Sequence, residues 1–232
     1  MYKEIYDSKD IRNKDYCVIN YIKEYYKTNY VCLDLGCGNC RKIKQVINNV
    51  QYYYAIDNNP IRIIHAKQNC NEYYNIKLGI GDNFYLPFEN DKFDLVSCFL
   101  TKYSVCEVSR VLKKGGIFII ETLGAGDKRE IKLRFGKDQF GWRGNRLYDS
   151  TDVQLKRIEE SMLPFFSIKN KHCIRFKTSI KAELLSDLFE MTNDIRCFDR
   201  IQDNDIIQSL TNDDGYIEFN EERLIIIGEK RQ

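Results

Sequence analysis

The sequence predicts an α/β fold built on a mostly parallel β-sheet. Short apolar, β-rich runs alternate with amphipathic stretches through the first half of the chain, which is typical of βα units. The predicted strands are Tyr30–Leu35, Tyr52–Asp57, Ile76–Ile80, Phe93–Phe99 and Ile117–Thr122. The predicted helices between them lie near Arg41–Asn48, Pro60–Asn69 and Tyr103–Leu112.

Local signals support these elements. Asn59 can cap a helix whose first residue is Pro60, a position where proline is tolerated. Gly115 and Gly116 end the third helix and turn the chain into the next strand. In the second half, the pattern predicts a helix from Thr151, a strand over Phe165–Phe176, a helix over Ser179–Met191 and an antiparallel hairpin over Tyr216–Ile227.

Composition excludes several protein classes. The chain has 232 residues, 43% of them hydrophobic and 30% charged, which is ordinary for a globular protein and unlike a disordered or fibrous chain. No apolar run approaches the roughly 18 residues that a membrane helix needs, so no membrane association is expected. Nine cysteines and no visible signal peptide predict free thiols and a cytoplasmic location. The net charge of +2 does not indicate a nucleic-acid partner.

The feature that points to chemistry is a glycine-rich turn after the first predicted strand. The run from Asp34 through Gly36, Cys37 and Gly38 carries a strand into a turn where the backbone can approach a ligand closely. The next strand ends at Asp57, whose carboxylate can accept hydrogen bonds from two ribose hydroxyls. This combination indicates a cofactor that contains adenosine.

The turn distinguishes among such cofactors. A dinucleotide fingerprint requires a small residue at position 41, which is Arg41, and the Gly-Lys-Ser/Thr of a P-loop is absent. The pattern Asp-x-Gly-x-Gly resembles instead the first motif of class I S-adenosylmethionine (SAM) methyltransferases. The resemblance continues through residues 80–88, through residues 92–98 and through residues 107–116. It is closest to methyltransferases that act on small molecules, of the kind found in quinone biosynthesis.

The resemblance implies a role for each matching residue. Gly36, Cys37 and Gly38 approach the methionine part of SAM, and Asp34 orders their turn. The remaining implied cofactor contacts are Asp57 at the ribose, Asn58 beside the adenine, Asp82 at the adenine amine, Asn83 at the adenine ring, and Ser97 and Cys98 near the transferred methyl group. Cys40 replaces the third glycine of the motif, and Lys114 replaces the usual proline of the fifth turn.

The resemblance also implies a single Rossmann-like three-layer sandwich over residues 1–232. Its parts would be an N-terminal helical segment (1–29), a cofactor-binding core (30–123), an inserted helical substrate cap (124–210) and a closing C-terminal antiparallel hairpin (216–230). No dedicated metal is expected. His65 and His172 are the histidines available as general bases, and neither has a convincing context.

Candidate substrate residues lie after the fourth and fifth strands. Tyr103 is the first, and the segment Asp127–Arg146 supplies Trp142 and Arg143, flanked by glycines that could hinge a mobile lid. That segment carries a net charge of +4. The sequence therefore predicts a methyltransferase for a small-molecule substrate. An RNA-modifying enzyme that uses this basic segment, and a non-catalytic SAM-binding regulator, are the alternatives left open.

Overall fold

The computed structural model describes residues 17–232, which form two compact units. The core unit comprises Cys17–Thr122, Lys156–His172 and Leu224–Gln232, and the insert unit includes Leu123–Leu155 and Cys173–Arg223. Most of the predicted N-terminal helical segment lies outside the described residues; its described part contains helix α1 (Ile19–Tyr25). None of the helices in residues 17–232 is long and apolar enough to cross a membrane.

The first half of the chain alternates strands and helices as the sequence pattern predicts. Its strands are β1 (Val31–Leu35), β2 (Tyr52–Asp57), β3 (Ile76–Ile80), β4 (Phe93–Phe99) and β5 (Leu112–Leu123). Its α-helices after α1 are α2 (Pro60–Asn69) and α3 (Val105–Val111). Helix α2 begins as expected, because Asn59 Oδ1 accepts hydrogen bonds from the backbone N–H groups of Ile61 and Arg62 at 2.9 and 3.3 Å.

The remaining elements follow β5. They are α4 (Arg129–Arg134), β6 (Lys137–Asp138), β7 (Gly141–Trp142), α5 (Thr151–Met162), β8 (Phe166–Lys181), α6 (Ala182–Met191), α7 (Asn204–Leu210) and β9 (Tyr216–Lys230). Strands β6 and β7 form a separate antiparallel hairpin. The insert unit has its own apolar cluster, in which Phe135, Leu185, Phe189 and Phe219 are buried.

Seven strands form one sheet in the order β3-β2-β1-β4-β5-β9-β8. Strand β1 pairs in parallel with both β2 and β4, and the outer pairs β2/β3 and β4/β5 are also parallel. This is the mostly parallel sheet that the sequence predicts, with the Rossmann-like order of strands. The carboxyl ends of β1 to β4 therefore lie along one edge of the core unit, where open α/β sheets bind ligands.

The structure corrects two predicted elements. Residues 41–48 do not form an α-helix but contain the short 3₁₀ turn Ile43–Gln45 and the start of a second, Ile47–Asn49. Residues 216–230 form one strand, β9, whose antiparallel partner is β8. The hydrogen bonds from Arg231 N to Phe165 O (3.0 Å) and from Ala182 N to Gly215 O (3.1 Å) define that pairing at its two ends.

Helix α5 begins at Thr151, as the sequence predicts, and Ser150 caps it. Ser150 Oγ accepts a hydrogen bond from Val153 N at 3.3 Å. Thr151 Oγ1 donates to Glu222 Oε1 at 2.6 Å. The Thr151 side chain is therefore a link to strand β9 within the insert unit.

Candidate functional site

A cavity of about 420 Å³ opens in the core unit where β1, β2, β3 and β4 end. Residues named from the sequence form much of its wall: Gly36, Asp57, Asn58, Asp82 and Asn83. Sequence reasoning did not select the other lining residues, which are Arg62, Phe84, Thr101 and Lys102. The volume lies within the range of about 300–1,000 Å³ that is usual for small-molecule sites.

The glycine-rich turn forms the part of the wall that follows β1. Gly36 and Gly38 have φ angles of +65° and +56°, in the left-handed region that favours glycine. A Cβ atom on Gly36 would lie 2.6 Å from Thr101 Cγ2, so this position has no room for a side chain. The turn is fixed to the neighbouring strand by a hydrogen bond from Cys37 N to Ile56 O at 2.9 Å.

Asp57 ends β2 and connects this turn to the next one. Its side chain is 2% exposed, and it accepts hydrogen bonds from Gly38 N and Asn59 N, each at 2.9 Å. The Arg62 guanidinium lies 3.7 Å from Asp57 Oδ2. Since a carboxylate has about four acceptor positions, Asp57 keeps capacity to accept from a ligand while it holds the two turns together.

The wall after β3 carries polar groups with unused capacity. Asp82 Oδ1 accepts from Phe84 N at 2.8 Å, and Asn83 Nδ2 donates to Lys102 O at 3.0 Å. Asn83 Oδ1 is buried and has no hydrogen-bond partner among the described residues. A buried polar atom without a partner is costly, so this oxygen indicates where a ligand or a water donates.

Asp34 lies beneath the turn and does not line the cavity. It is 3% exposed, and Ser97 Oγ donates a hydrogen bond to its Oδ1 at 2.6 Å. Burial raises the pKa of Asp34 from 3.8 to about 7, although the Ser97 hydrogen bond and the nearby Lys42 ammonium act in the opposite direction. Asp34 and Ser97 therefore join β1 to β4 below the site.

Four other residues named from the sequence are also not among those that line the cavity: Cys37, Gly38, Cys98 and Tyr103. Cys98 is buried, its Sγ contacts Thr101 O at 3.6 Å, and burial raises the thiol pKa, which keeps it protonated. Tyr103 packs edge-on against Phe118 with ring centroids 5.1 Å apart, and burial raises its pKa. Cys37 is half-buried within the turn.

Arg143 has protein partners within the insert unit. Its guanidinium makes a bidentate ion pair with Asp203, at 2.7 and 2.8 Å, and donates to Cys197 O at 3.0 Å. Trp142 lies in the β6/β7 hairpin with Lys137 Nζ 4.8 Å from its ring centroid. The Arg143 fork therefore holds its own segment against that of Asp203, and the substrate role of Trp142 and Arg143 stays a prediction.

Part of the positive charge of segment Asp127–Arg146 is also buried. Lys128 and Lys132 are 3% and 1% exposed. They belong to a buried ion cluster, defined as Asp127, Lys128, Lys132, Asp194 and Arg223. Asp127 accepts from Lys128 Nζ at 2.7 Å and from Arg223 Nη1 at 2.6 Å, and Lys132 Nζ lies 3.4 Å from Asp194 Oδ1.

In this ion cluster, the cost of burying charged groups is opposed by the attraction between opposite charges. Burial alone would raise the pKa of Asp127, but the charges of Lys128, Arg223 and Lys132 outweigh it and hold that pKa below its ordinary value. Burial lowers the pKa of Lys132. Lys128 and Lys132 are enclosed and paired in this way and are unavailable to phosphate groups, whereas Arg134 and Lys137 of the same segment are exposed.

Neither histidine lines the cavity. His65 is exposed on α2, and His172 packs against Tyr21 with ring centroids 4.8 Å apart. Among residues 17–232, no group of three or more His, Cys, Asp or Glu side chains is arranged to hold a metal ion. The chemistry that the cavity supports is therefore ligand binding by backbone N–H groups, carboxylates and amides.

The missed lining residues carry a local signal. Thr101 and Lys102 follow β4 directly, as Asn58 and Asp82 follow β2 and β3. The rule that sites form at the carboxyl ends of parallel strands would have selected them. Arg62, in the first turn of α2, has no comparable signal in the sequence.

Comparisons with known proteins agree with this geometry. An uncharacterized protein of Methanocaldococcus jannaschii, MJ1252, is 29% identical over 146 residues, which are 60% of this chain and 54% of the relative. The chain thus spans about half the length of this curated relative. Among solved structures, BH2331 of Bacillus halodurans C-125 has a TM-score of 0.67 at 18% identity, covering 95% of this chain and 100% of that chain.

Two further structures share the fold. YcgJ of Bacillus subtilis has a TM-score of 0.63 at 20% identity, covering 93% of this chain and 98% of its own. A SAM-dependent methyltransferase of Methanosarcina mazei has a TM-score of 0.58 at 15% identity, covering 91% and 97%. Residues 26–154, more than half of the chain, match the family described as a methyltransferase domain. The chain therefore belongs to this methyltransferase family.

Proposed function

We propose that the protein transfers a methyl group from SAM to a small-molecule acceptor, and that SAM binds in the cavity at the ends of β1 to β4. One observation carries the proposal. Three separate segments, implied from sequence to contact the parts of SAM, contribute residues to a single cavity of about 420 Å³. A family whose members use SAM supplies the identity of the ligand.

The lining residues fit the parts of this cofactor. Gly36, without a side chain, leaves the turn open to the methionine part, and Asp57 has spare acceptor positions for ribose hydroxyls. Asp82 and the unpartnered Asn83 Oδ1 offer acceptors for the exocyclic amine of adenine. Polar groups of the kind that each part of SAM requires are thus available from successive strand ends.

When bound, SAM supplies a methyl group on a positively charged sulfur. The acceptor nucleophile bonds to the methyl carbon, the carbon–sulfur bond breaks with its electron pair remaining on sulfur, and the acceptor loses a proton. The chain's own residues contribute mainly by aligning the two reactants and limiting water. Proton removal by a particular side chain is not part of the proposal.

A small acceptor is favoured over RNA because of the insert unit. The basic segment that could have contacted phosphates has Lys128 and Lys132 buried and Arg143 paired with Asp203. Binding to RNA would require exposed cations, with affinity that falls steeply as salt increases. Burial and pairing of these three residues remove part of the basic segment on which the RNA alternative depended, and the exposed Arg134 and Lys137 remain.

Calorimetric titration with SAM tests the cofactor site through Asp57→Ala. Hydrogen bonds to a charged acceptor contribute about 1.5–3 kcal/mol, so we expect SAM affinity to fall by roughly 10- to 150-fold. Asp91→Ala is the matched control, because Asp91 is an ion-paired carboxylate (to Lys230, 2.7 Å) that does not line the cavity. Equal SAM affinity in a folded Asp57→Ala variant and in the control would disprove the assignment.

A further inference from the structure

A second and larger cavity, of about 730 Å³, lies within the insert unit. The first residue along the chain that lines it is Ala125, two residues after the carboxyl end of β5. Its wall includes Arg129 from α4, Thr151 and Asp152 from the first turn of α5, and Arg175 from β8. The volume is in the range of small-molecule sites, and the lining is rich in charged and hydroxyl groups.

Glu222 of β9 is buried beneath this wall and forms hydrogen bonds with three of its residues. Its side chain is 1% exposed and accepts three hydrogen bonds: from Gly126 N at 2.9 Å, from Thr151 Oγ1 at 2.6 Å and from Arg175 Nε at 2.5 Å. Burial alone would raise the pKa of Glu222, but these three donors outweigh it and hold the pKa below its ordinary value. Glu222 is thus an ionised anchor for three segments of the wall.

The backbone near β5 is shaped to admit this carboxylate. A Cβ atom on Gly124 would lie 2.2 Å from Glu222 Oε1, and one on Gly126 would lie 2.6 Å from Oε2. Neither glycine has a positive φ angle, so close approach and not turn geometry explains the absence of a side chain. Two glycines and three hydrogen-bond donors therefore fit closely around the buried Glu222 carboxylate.

Glu222 leaves a specific part of Arg175 available. The contact uses Nε, while the two terminal nitrogens of the guanidinium have no hydrogen-bond partner among the described residues. The Arg175 side chain is 67% exposed and lines the cavity. Terminal nitrogens held in a fixed plane match the two oxygens of a carboxylate.

The same wall presents a carboxylate near that cation. Asp152 lines the cavity and makes no hydrogen bond or ion pair with another described residue. Arg129 is different, since its terminal nitrogens donate to the carbonyls of Leu147 and Asp149 at 3.1 and 3.4 Å and thereby support the wall. Among the described lining residues, the charged groups that remain available to a ligand are therefore the terminal nitrogens of Arg175 and the carboxylate of Asp152. Together they suit a dipolar ligand.

We propose that this cavity binds a small zwitterion of the amino-acid type. Its carboxylate pairs with the terminal nitrogens of Arg175, and its ammonium group pairs with Asp152. Glu222 is a positioning residue, because it acts through Arg175 and Thr151.

The test uses the full chain and a panel of the twenty free amino acids. We expect calorimetry to show binding of at least one of them to the wild type, and binding of its N-acetyl and methyl-ester derivatives to be about 10-fold weaker or more. The Arg175→Gln variant should lose roughly 10- to 150-fold in affinity for that amino acid. The Lys177→Gln variant, which removes one exposed charge from the same strand outside the cavity, should retain it.

Thiol labelling supplies a readout that is independent of activity. Cys173 lines the cavity, whereas Cys197 is an exposed thiol of the insert unit that does not. The bound amino acid should slow iodoacetamide modification of Cys173, measured by peptide mass spectrometry, and should leave Cys197 unchanged.

The outcomes separate this proposal from the proposed function. If the wild type binds SAM but none of the twenty amino acids, the proposal of a zwitterion site is overturned and the cofactor site stands. Unchanged affinity in Arg175→Gln, or equal binding of the blocked derivatives, also overturns it. If the wild type binds an amino acid as described but does not bind SAM, the proposed function is overturned and the zwitterion site stands.

Discussion

Replacing Asp34 by asparagine should change how protein stability depends on pH. The folded-state pKa of Asp34 is about 7 against an ordinary 3.8, mainly because the carboxyl is buried. Between about pH 4 and pH 7 the folded protein therefore holds a proton that the unfolded chain releases. The stabilisation from this group is complete below the unfolded pKa and is lost as the pH rises through the folded pKa.

The magnitude follows from the size of the shift. A difference of about three pH units corresponds to about 4 kcal/mol at most, since each unit is worth about 1.4 kcal/mol. Asparagine is neutral at every pH and retains an oxygen that can accept from Ser97 Oγ. We expect the free energy of unfolding of Asp34→Asn, relative to wild type, to increase by about 2–4 kcal/mol between pH 4 and pH 8.

Urea unfolding followed by circular dichroism measures this difference. Comparing variant with wild type at each pH cancels the titration of all other carboxylates. Ser97→Ala is the informative second variant: its hydroxyl lowers the Asp34 pKa, so its removal should shift the pH window upward. A difference between Asp34→Asn and wild type that stays constant from pH 4 to pH 8 would refute the reasoning, because Asp34 would then take up no proton on folding.

Three further predictions concern the cofactor site and the insert unit. Gly36→Ala should weaken SAM binding about 10-fold or more, measured by calorimetry, because the added Cβ would clash with Thr101. Gly115 is also left-handed, at φ +72°, but a Cβ there would lie in open space, so Gly115→Ala should leave SAM binding unchanged. A SAM analogue without the exocyclic amine should bind less tightly than SAM to wild type, and Asp82→Ala should discriminate less; equal discrimination in both proteins would remove Asp82 from base recognition. Arg143→Gln should cost about 3–5 kcal/mol of unfolding free energy by leaving Asp203 buried and unpaired, with SAM affinity unchanged, and a double-mutant cycle with Asp203→Asn should show coupling.

The parallel half of the fold could be predicted because its signals are local. Each of the five strands contains a short run rich in apolar and β-forming residues, and Asn59 and Pro60 together mark the start of α2. The cavity residues were accessible for the same reason, since Gly36 and Asp57 sit where strands end. Short-range patterns of this kind need no knowledge of distant contacts.

The incorrect helix over residues 41–48 shows the limit of periodicity. Ile43, Val46 and Ile47 are all fully buried, and their spacing is helical. β-Branched residues and asparagine have modest helix propensity, and the segment is short, so tertiary packing decides its conformation in favour of 3₁₀ turns. The periodicity correctly predicted which residues are buried, but it predicted the wrong backbone conformation.

The role of Arg143 could not be predicted because its partner is distant. Asp203 lies 60 residues further along the chain, and nothing in the sequence marks the two as a pair. Lys128 and Lys132 present the same difficulty, since they are enclosed with Asp194 and Arg223 from remote segments. Charged residues are mostly exposed, so an exposed basic segment was the expectation, and long-range pairing overruled it.

The interleaving of the two units has a consequence for protein synthesis. The core unit needs residues 156–172 and 224–232 in addition to its first 106 described residues, Cys17–Thr122. While the chain emerges from the ribosome, the segments that line the 420 Å³ cavity appear first, and the β9 residues of the same unit follow only after Arg223. Domains usually fold as units during translation, whereas here the core unit can be completed only after the interrupting residues 123–155 and 173–223 have been made. A truncated protein that ends at residue 154, where the family match ends, would lack strands β8 and β9 and should not fold as an independent domain.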